Sequence, residues 1–237
     1  MNTKYSKSVL ALAAAVLFAA ASGFGASPAK QGPGEERVRD AISVLQEMAD
    51  LDELGLPEKI LRECRGIAVI PGVIKAAWGI GGQYGRGIVC VRNEDGGWSA
   101  PAFISIIGGS VGWQIGVEKA DIILVFKTPK SIDDISRGKV TLGAGASIAA
   151  GPVGRNAEAS TDLDLEAEIF SYSKSKGLFA GVSVKGASIR IDEDANAAFY
   201  GGKDVPARDI LYGEGVQAPG IVDDLKGVLK KITSRNK

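Results

Sequence analysis

The sequence predicts an α+β fold: a strongly curved, mainly antiparallel, glycine-rich sheet or partly closed barrel, with helices before it and an amphipathic helix at the C-terminal end. Three observations carry that prediction. Apolar residues recur at three- and four-residue steps near both ends of the chain, the period of a helix buried on one face. Between those ends they alternate, or run in short blocks bounded by turn residues, which is strand behaviour. The 32 glycines, about twice the usual share, fall mainly in the strand segments. Glycine weakens a strand, so its repeated use implies close backbone approach, bulges or sharp coiling.

Each element follows from its local pattern. Glu35 to Leu54 reads as a helix whose stripe is Val38, Ala41, Ile42, Leu45, Met48 and Ala49; Glu35 and Glu36 suit its N-terminal dipole, and Gly55 stops it. A second short helix starts at Pro57 and runs towards Cys64. Gly66 to Ile70 reads as a short strand ended by Pro71-Gly72, and Ala77 to Val91 as another, followed by a turn at Asn93 to Gly97. Val111, Trp113, Ile115 and Val117 alternate with Gly112, Gln114 and Gly116, while Ile122 to Phe126 is an apolar block suited to burial on both faces. Leu163, Leu165, Ala167 and Ile169 alternate with Asp162, Asp164, Glu166 and Glu168. Beyond a turn at Ser175 to Gly177, Leu178, Ala180, Val182 and Val184 begin a strand whose parity shifts near Gly186, as a bulge would shift it. Pro206 to Tyr212 makes one or two helical turns. The last helix, about 219–235, carries Ile221, Leu225, Val228, Leu229 and Ile232 on one side.

The stretch VTLGAGASIAAGPVGR (140–155) decides between a phosphate loop and a strand. Val140, Leu142, Ala144, Ala146, Ile148 and Ala150 share one parity, so the segment reads as a single strand. Ile148 stands where a dinucleotide fingerprint needs its third glycine, and the Lys-Ser/Thr of a P-loop is missing.

Residues 1–25 read as a signal peptide and 26–34 as a leader, followed by one domain over 35–237. Lys4 and Lys7 precede the apolar run Val9 to Ala21, which has the length of a signal h-region and is too short to span a bilayer. Cleavage after Ala21, Ser22 or Gly25 fits equally well. The expected location is therefore periplasmic or extracellular, with the domain peripheral on a membrane or free of it. Acidic and basic residues balance at 28 each, and loss of the two lysines leaves a slight acidic excess, which argues against a nucleic-acid partner. Cys64 and Cys90 either pair as a disulfide or remain two buried thiols.

The chain has no histidine. That removes Ser-His-Asp triads, Cys-His pairs and histidine metal sites. The G-x-S-x-G match at Gly108 to Gly112 is then chance, because no histidine can accept the serine proton. Asp192 to Asn196 resembles the start of a calcium loop, but Ala197 and Lys203 occupy the required glycine and glutamate positions. No cofactor or metal is expected. The acids at 162–168 read as a solvated strand face, with calcium the alternative; a carboxylate-based hydrolase is the one enzyme reading left, because same-face strand neighbours recur about 7 Å apart, within the spacing of glycosidase carboxylates, but nothing places a substrate there.

A series of short segments resembles the SYLF domain family: Gly66-Ile-Ala-Val-Ile-Pro71, Gly79-Ile-Gly-Gly-Gln-Tyr-Gly-Arg-Gly87, Trp98-Ser-Ala-Pro-Ala-Phe103, Ser110-Val-Gly-Trp-Gln-Ile-Gly116, Lys139-Val-Thr-Leu-Gly-Ala144, Ala150-Gly-Pro-Val-Gly-Arg155, Phe170 to Gly181, and Asn196 to Gly201. The resemblance implies a non-enzymatic domain that binds membrane lipid, with phosphoinositides preferred in eukaryotic members and actin bound by some fungal ones. Two features depart from the family. The segment Glu35 to Leu54 is acidic where eukaryotic members use a basic amphipathic one, and an exported protein would not meet cytosolic actin, so actin binding is not expected here.

The expected function is therefore an exported lipid- or membrane-binding domain. Trp78, Phe103 and Trp113 would line a groove for an acyl chain, and Lys75 and Arg86 would meet the headgroup. The alternative is an envelope scaffold or protein-interaction domain without a lipid ligand.

Overall fold

The computed structural model describes residues 32–50, 56–153, 167–175, 178–202, 205–213 and 216–234, with the side chains of 50, 77–80 and 110–116 outside that set. The expected signal peptide and the acids Asp162, Asp164 and Glu166 also lie outside it. Helix α1 (Pro33–Asp50) opens with proline, whose missing N–H costs nothing in the first turn, and buries Val38, Ala41, Leu45, Met48 and Ala49 along one stripe. A one-turn helix, α2 (Glu58–Glu63), follows and buries Leu61.

The chain then forms two long strands, β1 (Gly66–Val91) and β2 (Ala102–Phe126), paired antiparallel from Gly66 opposite Phe126 to Val89 opposite Ala102. Pro71 does not end the first strand as its sequence suggested. The ladder slips between Ile70 and Val73, and in that bulge Pro71 needs no partner, while the Gly72 N–H donates to Asp121 Oδ1 at 2.8 Å. Gly72 carries the bulge at φ 60°, a conformation that costs glycine little.

This ribbon bends back on itself. A Cβ on Gly85 would lie 2.7 Å from Val73 Cγ2, and one on Gly87 would lie 2.7 Å from the Ile70 Cα. Seventeen residues of straight strand would separate Ile70 from Gly87 by roughly 55 Å. Strong curvature is the only way to bring them into contact, and glycine is what lets the backbones meet.

Each limb of the bent ribbon anchors more strands. Beside Asp121 to Phe126 lies β5 (Ile169–Ser175), whose far edge takes β4 (Ile148–Ala150) in parallel and β6 (Leu178–Gly181) antiparallel. Beside Ile104 to Ile107 lies β7 (Ser188–Ile191), followed by β3 (Lys139–Thr141). The result is the strongly curved, mainly antiparallel sheet that the sequence predicted, a half-barrel flanked by N- and C-terminal helices. Helix α3 (Pro129–Ser136) connects β2 to β3, and α4 (Glu193–Tyr200), α5 (Ala207–Tyr212) and α6 (Ile221–Thr233) complete the described elements.

Both faces of the sheet are covered over much of its area. Ile70, Val89, Ile104, Ile122, Leu124 and Phe126 turn inward against α3 and α5. Ile67, Ile88, Phe103, Ile123, Val125 and Phe170 turn towards α1 and α6. The Ile122–Phe126 block thus serves both cores, as a run without polar interruption should. Helix α6 buries Val222, Leu225, Leu229 and Ile232, so its apolar stripe completes the fold.

Three local expectations need correction. Residues 140–150 are two short strands separated by a turn, in which Gly145 N–H donates to the Thr141 carbonyl at 2.9 Å, because β3 and β4 serve different sheet neighbours. Residues 178–191 likewise form two strands, β6 and β7, with a turn at Val184 to Ala187 and no bulge. Helices α3 and α4 were not foreseen, although Pro129 at the first position of one and Asp192 capping the other, by accepting from Ala195 N at 3.2 Å, are ordinary start signals.

Candidate functional site

The alternation of β1 and β2 sorts the ribbon side chains into two faces. Val73, Gly85 and Val89 face the inner core, so Ile74, Tyr84 and Arg86 occupy the opposite, outer face. Ladder partners share a face, which adds Lys119 opposite Ile74, Val117 opposite Ala76, Ile107 opposite Tyr84 and Ser105 opposite Arg86. Next to the helices this outer face is covered, at Ile88 and Phe103. At described positions on either side of the bend it is exposed. Ile74, Tyr84, Ile107 and Val117 are 49, 45, 43 and 78% exposed, and they make up four of the six large apolar side chains exposed among the described residues.

Cations flank this apolar face. Lys119 stands at one end, beside Ile74. At the other end Arg86 Nε donates to Tyr84 Oη at 2.7 Å, with the guanidinium 5.9 Å from the ring centroid. That hydrogen bond raises the Arg86 pKa and leaves the two terminal nitrogens of the guanidinium for another acceptor.

The residues expected to bind lipid divide between several environments. Arg86 is on the bare outer face. Lys75 is on the inner face, opposite Glu118. Trp78 and Trp113 fall at the bend, where the ladder shifts between Ala77 opposite Gly116 and Gly79 opposite Gly112; their side chains lie outside the described residues. Phe103 lines no groove. It is fully buried, edge-on to Phe199 at 5.0 Å, with the Arg37 guanidinium 5.2 Å from its ring centroid. Its backbone N–H donates to Asn196 Oδ1 at 2.8 Å, so Phe103 ties α1 and α4 to the sheet.

The cysteines are two free, buried thiols, not a disulfide. Cys64 Sγ donates to the Leu61 carbonyl at 3.0 Å, and burial pushes both pKa values up to about 12. Such thiols are poor nucleophiles and poor metal ligands at neutral pH. Among the described residues, no group of three or more Cys, Asp or Glu side chains could hold a metal ion, and no helix is long and apolar enough to cross a membrane.

Sequence reasoning missed Ile74, Val117 and Ile107 as surface residues. Their composition gave no warning, since an isoleucine among strand residues reads as core. Tyr84 and Arg86 did leave a signal: two large residues two positions apart, separated by glycine, share a strand face.

The description "Ysc84: Las17-binding protein actin regulator" belongs to the family model that matches residues 107–232. The SH3 domain-containing YSC84-like protein 1 of Rattus norvegicus is 34% identical over 207 residues, covering 85% of this chain and 60% of the rat protein. The human protein of that name matches to the same extent. LAS seventeen-binding protein 3 of Saccharomyces cerevisiae is 39% identical over 178 residues, covering 74% of this chain and 38% of the yeast protein. The chain therefore spans 60% of the length of the animal relatives and 38% of the yeast one. The family description names Las17 binding and actin regulation, and the yeast relative's name also speaks of Las17 binding, which lends no support to the expectation that actin is not bound; that expectation rests on the export reading of residues 1–25 alone.

Proposed function

The chain belongs to the Ysc84 family, the SYLF domain proteins, and from that membership we propose that it is a non-enzymatic, exported domain that binds membrane lipid through the outer face of its β1–β2 bend. The observation that carries this reading is the bare apolar face of Ile74, Tyr84, Ile107 and Val117, bordered by Lys119 and Arg86. Apolar surface gains about 25 cal/mol for each Å² taken out of water, and each nearby cation adds about 1 kcal/mol over an anionic leaflet. An apolar surface with cations at its border is how proteins rest in a membrane interface without crossing it. Vesicle flotation tests the reading: the protein should float with liposomes, and Ile74→Asp/Val117→Asp should remain in the soluble fraction. Failure of the unaltered protein to float with any composition at low salt would remove it.

The relatives' names favour a second reading, a protein-interaction domain. A groove of about 820 Å³ between α1 and α6, lined in part by Ile42, Gln46, Val228 and Lys231, offers a place for a partner segment. Val228→Arg should then abolish partner capture and leave flotation unchanged. Deleting α6 would not discriminate, because Leu225 and Leu229 belong to the core.

A further inference from the structure

The strand register lines up a row of cations that no sequence motif reveals. Arg86 on β1 is opposite Ser105 on β2, Ser105 is opposite Arg190 on β7, and Arg190 is opposite Lys139 on β3. Ladder partners share a face, so all four side chains stand in one line across four strands. With strands about 4.8 Å apart, Arg86 and Arg190 originate about 10 Å apart, and Lys139 lies a further strand beyond. Arg86, Arg190 and Lys139 are exposed and none forms a salt bridge among the described residues, although Asp192 acts on Arg86 electrostatically.

The row beside it differs in chemistry. Tyr84, Ile107, Ser188 and Thr141 occupy the next same-face positions on the four strands, with Thr141 Oγ1 3.3 Å from Ser188 Oγ. Tyr84 and Ile107 share their face of the two strands with the exposed Ile74 and Val117. A shallow cleft of about 390 Å³ runs along Tyr84, Arg86, Ser105 and Arg190 and is closed at α4 by Glu193 and Asp194. Asp192, at the same wall, is engaged by Arg37 at 2.9 Å.

We propose that the row Arg86–Ser105–Arg190–Lys139 is a phosphate-binding strip that holds the headgroups of an anionic lipid surface while the neighbouring bend enters the interface. The proposal rests on the lipid reading above and assigns to it residues from β7 and β3 that lie far along the chain from the bend. Arg86 has its Nε occupied by Tyr84, so its terminal nitrogens are presented as a fork suited to phosphate oxygens. Three cations beside the wall carboxylates Asp192, Glu193 and Asp194, the first of them paired with Arg37, are too few for a nucleic-acid grip but enough to add measurably to membrane partitioning. The exposed Tyr84 and Ile107 alongside favour a membrane over a soluble anion, since a free phosphate has no use for them.

The test is partitioning of the full chain onto vesicles of phosphatidylcholine alone and of phosphatidylcholine mixed with phosphatidylglycerol, with and without added salt. The unaltered protein should bind the anionic vesicles more tightly, and salt should erase the difference. Arg190→Gln/Lys139→Gln should lose that gain, roughly fivefold in partition coefficient for each cation, keep its binding to phosphatidylcholine, and melt at the unaltered temperature. The control Lys59→Gln/Lys230→Gln removes the same charge elsewhere and should keep the gain. An unchanged gain in the Arg190/Lys139 variant, or an equal loss in the control, overturns the strip and leaves the lipid reading standing. An unaltered protein that binds phosphatidylcholine without any anionic gain has the same effect. Protein that ignores both vesicles overturns the lipid reading and the strip together. If the Arg190/Lys139 variant changes only the sedimentation coefficient, the face contacts a second copy and the proposal falls.

Discussion

Gly87 rests against Ile70 of its own strand, so closely that a Cβ on Gly87 would stand 2.7 Å from the Ile70 Cα and would also collide with the Val69 carbonyl oxygen. These obstacles are backbone atoms, which cannot swing aside as the end of a side chain can. Gly87→Ala should therefore force the two limbs of the ribbon apart and cost on the order of 3 kcal/mol. Gly82→Ala is the control: its nearest neighbour would be the Gly108 carbonyl oxygen at 3.8 Å, and it should be nearly neutral. Urea unfolding midpoints measure both, and equal midpoints for the two variants would contradict the close crossing.

The buried thiols set the behaviour in alkali. Burial raises the pKa values of Cys64 and Cys90 from 9.0 to about 12, and burial likewise raises Tyr212 to about 12. The folded state therefore favours the protonated thiols and phenol, whereas the unfolded chain ionises earlier. This contribution is whole below about pH 9 and is lost as pH rises from there towards 12. Stability should be flat near neutrality and fall in that window, and Cys90→Ala should shallow the fall. In the native state a thiol reagent at pH 8 should label neither cysteine, and in denaturant both.

Asp192 has two partners that can be separated. Its Oδ2 meets Arg37 at 2.9 Å and its Oδ1 accepts from the Ala195 N–H at 3.2 Å, so it caps α4 and holds α1. Asp192→Asn keeps a capping oxygen and loses the ion pair. Asp192→Ala loses both and should cost about 1 kcal/mol more, the worth of an N-cap. Thermal melts of the two variants decide the point, and identical melts would mean the cap contributes nothing.

The outer-face variants should be functional lesions without structural cost. Val117 is 78% exposed, so Val117→Asp removes no core contact and should leave the unfolding midpoint within about 0.5 kcal/mol of the unaltered value. A large drop would show that the bend is packed against something.

Much of the fold was legible because period and punctuation are local. The stripe Val38, Ala41, Leu45, Met48 and its partner Leu225, Leu229, Ile232 repeat at the helical period, and both helices bury those residues. The apolar block Ile122 to Phe126 is buried on both faces, as a run without polar gaps implies. Failures came where a local signal was overruled from a distance. Pro71-Gly72 is a strong turn signal, yet the pairing of β1 with β2 on both sides absorbs it as a bulge. The alternation through 140–150 is real, but β7 claims its beginning and β5 its end.

The candidate site was less legible still. Arg86 was named only as a cation near glycine-flanked aromatics, and the structure puts it on the exposed outer face; Phe103 was misplaced because an aromatic residue near glycines can equally fill a core or line a surface. Arg190 and Lys139 carried no signal at all, since nothing local ties either of them to Arg86.

The amino-acid order alone determined the α+β class, the glycine-rich curved sheet, the amphipathic terminal helices and the absence of histidine chemistry, because each depends on composition or on residues within a turn or two of one another. The tertiary structure alone decided that the ribbon doubles back at Gly87, that Cys64 and Cys90 stay apart, and that cations from β1, β7 and β3 share one line. Those outcomes depend on which distant strands pair and in what register, and register is settled by burying both sheet faces at once, an energy spread over the whole core.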